Sequence, residues 1–231
     1  MSNLPLRQEE IEASRRPQEL LDWCSAKIED VAGCEGGIHA VRFGIGLCKP
    51  LTEEVYPLAI WATYCEDVDD GAVLIPKIGS QPYDAEVQDP SHEPPSYFVE
   101  ITQAHMGQSE HFRMIHLERR GWAPGPLSEM TRVGGRGSLD VHPGRVLGSV
   151  DGYIHKTTEL VTEAIIRKLN KDYKRPIILV VAFEDFILKN YESTLAALSE
   201  PMIGLLSATE NPFEAVYLVG MSSYLVLRVN G

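Results

Sequence analysis

The run RPIILVVAF, residues 175–183, is the strongest constraint in this chain. From Ile177 to Phe183 no side chain is polar, so neither face of an extended segment there can meet water. Such a run reads as a central strand covered on both sides. Just before it, DGYIHKTTELVTEAIIRKLNKDY carries Val161, Ala164, Ile165, Lys168 and Leu169 at helical spacing. The stem of Lys168 can lie along apolar surface while its ammonium snorkels outward. A helix leading into a buried strand places that strand in a sheet with helices on both faces, the α/β class.

The preceding half supplies the rest of the sheet. PQELLDWCSAKIEDVAG reads as a helix with Pro17 in its first turn and Leu20, Leu21, Cys24, Ile28 and Val31 on one face. IHAVRFGIG reads as a short strand or a loop. LTEEVYPLAIWATYCEDV is a helix with Thr52 as its N-cap and Glu53 and Glu54 at the positive end of its dipole. GAVLIPKIG, QPYDAEV and SYFVEITQ follow as three strands, the last two separated by the proline loop QDPSHEPP. HMGQSEHFRMIHLERRG is a helix ended by Gly121. The glycine- and proline-rich residues 122–150 form an irregular insertion or a small hairpin. After the buried strand come a short helix at NYESTLAALS and a strand pair in FEAVYLVGMSSYLVLRVN. Consecutive strands suggest an antiparallel meander, and the later strand joins it, giving a mixed central sheet flanked by helices. Residues 1–48 read as an N-terminal helical extension, and 49–231 as a single α/β domain with the insertion at 122–150. Residues 1–16, charged and aperiodic, are expected to be mobile.

A net charge of −12 argues against general, charge-driven binding to nucleic acid, so any such contact needs a local basic patch. Cys24, Cys34, Cys48 and Cys65 fit no CxxC metal pattern and read as buried thiols of a reducing compartment. The polar, acid-bearing N-terminus is not a signal peptide, and no apolar run reaches membrane-span length. The expectation is a cytoplasmic protein with no membrane association.

Two carboxylates stand out. Side chains alternate along a strand, so Glu100 shares a face with Phe98 and Thr102, and Asp84 shares one with Pro82 and Glu86. If the two strands pair, Asp84 and Glu100 can lie on one face and share a hard cation such as Mg²⁺. Glu54 or Glu53 would offer a third oxygen. The competing reading is a half-exposed hairpin with solvated acids.

The order helix, three-stranded meander, helix, strand, with the stretches EEVYPLAIWA, QPYDAEV, YFVEITQA and HFRMIHLERRG, resembles divergent members of the PD-(D/E)XK (restriction-endonuclease-like) nuclease superfamily. The likeness covers roughly residues 49–120 and 151–183. It implies a restriction-endonuclease-like core and Mg²⁺-dependent phosphodiester hydrolysis. Asp84 would be the motif aspartate, Glu100 the motif glutamate and Glu54 the helical acid that some members use. Pro82 stands two residues before Asp84 instead of next to it. Thr102 occupies the position of the motif lysine, and its hydroxyl can orient water but supplies no charge. Gln103 lies on the opposite face of a regular strand. His105 or Arg113 is the nearest basic group in sequence.

Other features leave alternatives open. RKLNKDYKR holds Arg167, Lys168, Lys171, Lys174 and Arg175; it either binds phosphates, with Lys168 and Lys171 the chosen contacts, or is a solvated helix end. Arg113, His116 and Arg120 share a helical face that meets either a phosphate backbone or water. RVGGRGSLD, with Arg132 and Arg136, is an anion nest or a plain loop. The aromatic residues read as core, not as a base-stacking platform. The functional expectation is therefore a Mg²⁺-dependent nuclease on nucleic acid, or an inactive descendant. The alternative is a non-catalytic binding or assembly protein that keeps the fold, with a protein partner or as a homodimer. A small-molecule hydrolase with 122–150 as a lid is a third option.

Overall fold

A computed structural model describes residues 4–134, 140–144, 149–173, 177–185 and 191–229, with side chains of 191–194 left aside. Lys174, Arg175 and Arg136, named above as candidate cations, lie outside these residues.

The apolar run at 177–183 is the middle of the molecule. It forms β6 (Ile177–Phe183), and every one of its residues is buried. The six-stranded sheet is ordered β1-β2-β3-β6-β7-β8. Here β1 is Val73–Pro76, β2 Ala85–Gln88, β3 Ser96–Ala104, β7 Phe213–Gly220 and β8 Val226–Arg228. β1, β2 and β3 form an antiparallel meander; β3, β6 and β7 run parallel; β8 closes the far side antiparallel to β7. This is the mixed α/β sheet with flanking helices that the pattern demanded. A separate hairpin, β4 (Met130–Val133) with β5 (Asp140–Pro143), occupies the insertion.

The two faces of the sheet carry two apolar layers. On one face Val99, Ile101, Val180 and Tyr217 pack with α2 (Pro17–Ala32) and α5 (Tyr56–Tyr64). α5 is apolar all round, with Pro57 through Ala62 buried, because it is sandwiched between α2 and the sheet. On the other face Leu179, Val181 and Leu218 pack with α7 (Val150–Leu169) and α8 (Tyr191–Ala208). The Ser149 hydroxyl caps α7 by accepting the Gly152 N–H at 3.1 Å. α6 (Gly107–Arg120) ends at Gly121, whose φ of +75° is the left-handed conformation that favours glycine.

Several expectations change. A turn at 43–46 ends IHAVRFGIG, but its first five residues lie in a helix, α3 (Gly37–Arg42). It docks so closely that a Cβ on Gly37 would collide with the Val31 carbonyl, so contact with α2 overrides the local β-propensity. Thr52 is not an N-cap. The helical path starts at α4 (Cys48–Pro50), and the Thr52 hydroxyl donates back to the Cys48 carbonyl at 2.8 Å. A π-helical turn at Leu51–Val55 joins it to α5, and widening there suits Pro57, which has no N–H to give. The N-terminal segment is not loose. α1 (Gln8–Ile11) buries Ile11, Leu6 is buried too, and Arg15 forms an antiparallel bridge with Leu74 on β1. α8 has 18 residues despite Pro201, longer than expected. Cys34 is exposed while the other three cysteines are buried, and all four are free. Among the described residues no helix is long and apolar enough to cross a membrane.

Candidate functional site

β2 begins only at Ala85, opposite Val99, but β3 runs on to Ala104. With Ala85 opposite Val99, the next residue back along β2, Asp84, faces Glu100. The strand end leaves the Ile101 N–H without a main-chain partner on that side. The Asp84 side chain takes it: Oδ2 accepts the Ile101 N–H at 2.6 Å. A short acceptor side chain at this position thus continues the ladder after the backbone has departed.

Glu100 points to the α7 face of the sheet and is 3% exposed. A carboxylate there needs compensation. It comes from α7 and the turn after it. Lys168 Nζ and Lys171 Nζ both donate to Glu100 Oε1, the latter at 3.0 Å, and Lys168 also reaches the Ile101 carbonyl at 3.3 Å. The stem of Lys168 lies on the buried face with Val161, Ala164 and Ile165, which aims its ammonium inward. Arg167 donates to the Gln103 carbonyl at 3.2 Å. The Tyr173 ring packs edge-on against Phe213, and its buried hydroxyl lies near Glu100 without good hydrogen-bond geometry.

The remaining acids complete a charged corner. Burial and then the Glu100 charge push Asp84 up to about 7, against the Ile101 N–H and Lys168, which pull it down. Glu54, on the π-helical turn, is also raised, by burial first and then by Glu53, with Glu100 adding to it. Burial opposes the charge on Lys171, but Glu100 holds its pKa above the ordinary value. Thr102, buried and on the same face as Glu100, lines an open groove with Glu54, Lys49, His105 and Arg167. Gln103 faces the other way and donates to the Glu53 carbonyl at 2.7 Å.

The expected residues thus separate into two groups. Asp84, Glu100, Lys168 and Lys171 are together, with Glu54 and Thr102 at their margin. Arg113 is elsewhere: Glu110 grips it through two bonds of 2.8 and 2.7 Å. His116 is buried, with Nδ1 2.9 Å from the Trp122 carbonyl oxygen, and Arg120 sits 3.7 Å from Asp140 of β5. On the basic face of α6, Arg113 and His116 thus meet protein, while Arg120 is exposed beside Asp140. His105 is bonded to the Gly107 N–H at 2.9 Å. The cation near the carboxylates comes from α7, not from the neighbouring helix.

Among the described residues no three His, Cys, Asp or Glu side chains form a ligand cluster. Two hard carboxylates suffice for Mg²⁺, which keeps several waters and takes further oxygens from a bound phosphate. Among the described residues Asp84 Oδ1 and Glu100 Oε2 make no hydrogen bond, and burial first, then the Glu100 charge, raises the proton affinity of Asp84. The donor set fits such an ion. No family model, curated protein or solved structure matches the chain.

Proposed function

We propose that this chain is a divergent PD-(D/E)XK-type protein that hydrolyses phosphodiester bonds in nucleic acid with Mg²⁺. The observation that carries the reading is the juxtaposition of Asp84 and Glu100 at the end of β2, with the Lys168 ammonium on Glu100. Support also comes from the topology: a helix bearing Glu54, the meander β1-β2-β3, and β6 parallel to β3 after a helical crossover. That order supports the reading of a restriction-endonuclease-like core.

Asp84 and Glu100 would hold the cation, with Glu54 assisting. A bound divalent cation supplies a water of lowered pKa and neutralises charge on the phosphoryl group. The protein's own part is the rest. Lys168 brings to Glu100 the positive charge that Thr102 cannot bring, from a different element. On release by Glu100 it can hold the attacking water or a phosphate oxygen. Lys171, 53% exposed in its side chain, stands where a neighbouring phosphate of the strand can pass. Thr102 offers a hydroxyl to position water on the same face.

The test is cleavage of single-stranded and duplex DNA and RNA with Mg²⁺ or Mn²⁺, in the wild type, Asp84→Ala and Lys168→Met. We expect metal-dependent cleavage that falls at least a hundredfold in Asp84→Ala. Lys168→Met should lose cleavage but keep Mn²⁺ binding. Equal cleavage in all three proteins would sink the assignment.

One observation favours a second reading. Glu100 already holds two ammonium groups, and Asp84 already holds the Ile101 N–H, so the network is largely satisfied without a ligand. A non-catalytic assembly protein, paired with a protein partner or with itself, could use it as a brace. That reading predicts no Mn²⁺ heat at the pair and a stable complex by light scattering. Either way, four unpaired cysteines suit a reducing compartment such as the cytoplasm.

A further inference from the structure

At the C-terminal ends of β3 and β6, further along β3 from Glu100, lies a half-enclosed cavity of about 320 Å³. Its apolar wall is made by Phe43, Met106, Met114 and Leu127, and its polar rim by the Arg113–Glu110 pair and Ser128. The groove that holds Glu54 and Thr102 is continuous with it, because Glu53, Gln103, His105 and Gly107 line both. A strand bound along that groove, beside Glu54 and Thr102, would reach the mouth of this cavity.

We infer that the cavity receives an unpaired nucleobase from the strand being cut, so that the substrate is single-stranded or locally unpaired nucleic acid. The inference rests on the phosphodiesterase reading and adds a substrate class to it. Three observations carry it. The first is size: the cavity is in the range of small-ligand sites, and a base can enter only when it has left its stack. The second is chemistry. The half-buried Phe43 ring meets His111 edge-on at 5.5 Å and, with two thioethers, forms an apolar wall for a π face. The carboxylate, guanidinium and hydroxyl at the rim offer acceptors and donors to the edge of a base. The third is charge. A chain of net charge −12 gains little from counterion release on a polyanion, so base contact must supply affinity that phosphate contact does not.

The experiment is calorimetric titration of the full chain with the four nucleoside 5′-monophosphates, with ribose 5-phosphate, and with a short oligonucleotide as single strand and as duplex. Wild type, Phe43→Ala and Asp84→Ala are compared, with Phe43→Leu as a second variant that keeps apolar bulk and removes the ring. We expect at least one mononucleotide to bind wild type, and to bind about tenfold more weakly when the ring is gone. The single strand should bind more tightly than the duplex. Three results would overturn the inference: no mononucleotide binding, ribose 5-phosphate binding as well as the nucleotides, or an unchanged affinity in both Phe43 variants. Parallel Mn²⁺ titration and cleavage assays separate the two ideas. If they succeed while the cavity stays empty, only the base site falls. If Mn²⁺ binding and cleavage are absent, the phosphodiesterase reading falls, and with it the substrate assignment.

Discussion

Asp84→Asn removes one negative charge and keeps the shape of the side chain, including an oxygen that can accept the Ile101 N–H. In the folded chain the Asp84 carboxyl is pushed from its ordinary 3.8 up to about 7. An acid with this direction of displacement holds its proton more tightly when folded. Its contribution to stability is complete below about pH 3.8 and is lost progressively as pH rises to about 7. The gap is worth at most roughly 4 kcal/mol. Asp84 is only partly buried, so solvent screening should reduce this to about 1–3 kcal/mol. The asparagine variant has no such loss. Urea unfolding of both proteins from pH 4 to pH 8.5 measures the difference directly, because every other titrating group is shared. The variant should match the wild type near pH 4 and exceed it by that amount at pH 8.5. Millimolar Mg²⁺ at pH 8.5 should stabilise the wild type alone and narrow the gap. A variant less stable than wild type at pH 8.5, or a difference that does not vary with pH, would refute the reasoning.

Lys168→Met leaves the buried Glu100 with Lys171 alone and should cost about 2–4 kcal/mol in urea unfolding, with much of it recovered by adding Glu100→Gln. Gly220→Ala should destabilise strongly. A Cβ there would run into the Asp185 carboxylate, which accepts the Ser222 N–H at 2.7 Å and the Ser223 hydroxyl; differential scanning calorimetry should show a lowered Tm. Tyr153→Phe should be neutral or raise stability by about 1 kcal/mol, because the hydroxyl it deletes is buried without a partner. A clear loss in chemical denaturation would mean that the hydroxyl is bonded after all.

The sheet was legible where one force dominated. An unbroken apolar run has no alternative to burial, which is why β6 could be placed from the sequence, and period-two alternation was the reason to look for Asp84 beside Glu100. The cations were a different matter. Lys168 and Lys171 are 68 and 71 residues from Glu100, and no local pattern links them. A signal did exist: Lys168 continues the apolar stripe of α7, where a lysine must either snorkel outward or find an anion inside. Sequence alone does not choose between these, because the choice depends on what the sheet presents to the helix. The same holds for α3, whose β-branched residues gave way to the fit of Gly37 against α2. Phe43, at the end of α3, could not be distinguished from a core aromatic until α6 and the insertion were placed around it.

The bridge between Arg15 and Leu74 bears on solubility. β1 is the outermost strand of its side of the sheet, and an outer strand offers unpaired N–H and carbonyl groups to any other extended chain. Here the Arg15 N–H donates to the Leu74 carbonyl at 3.1 Å, and the Leu74 N–H donates to the Arg15 carbonyl at 2.8 Å. The leading segment is therefore a guard rail on a sticky border. Trimming it to obtain a shorter protein would uncover Leu74 for pairing between molecules, and the trimmed chain would be lost to aggregation before its activity could be measured.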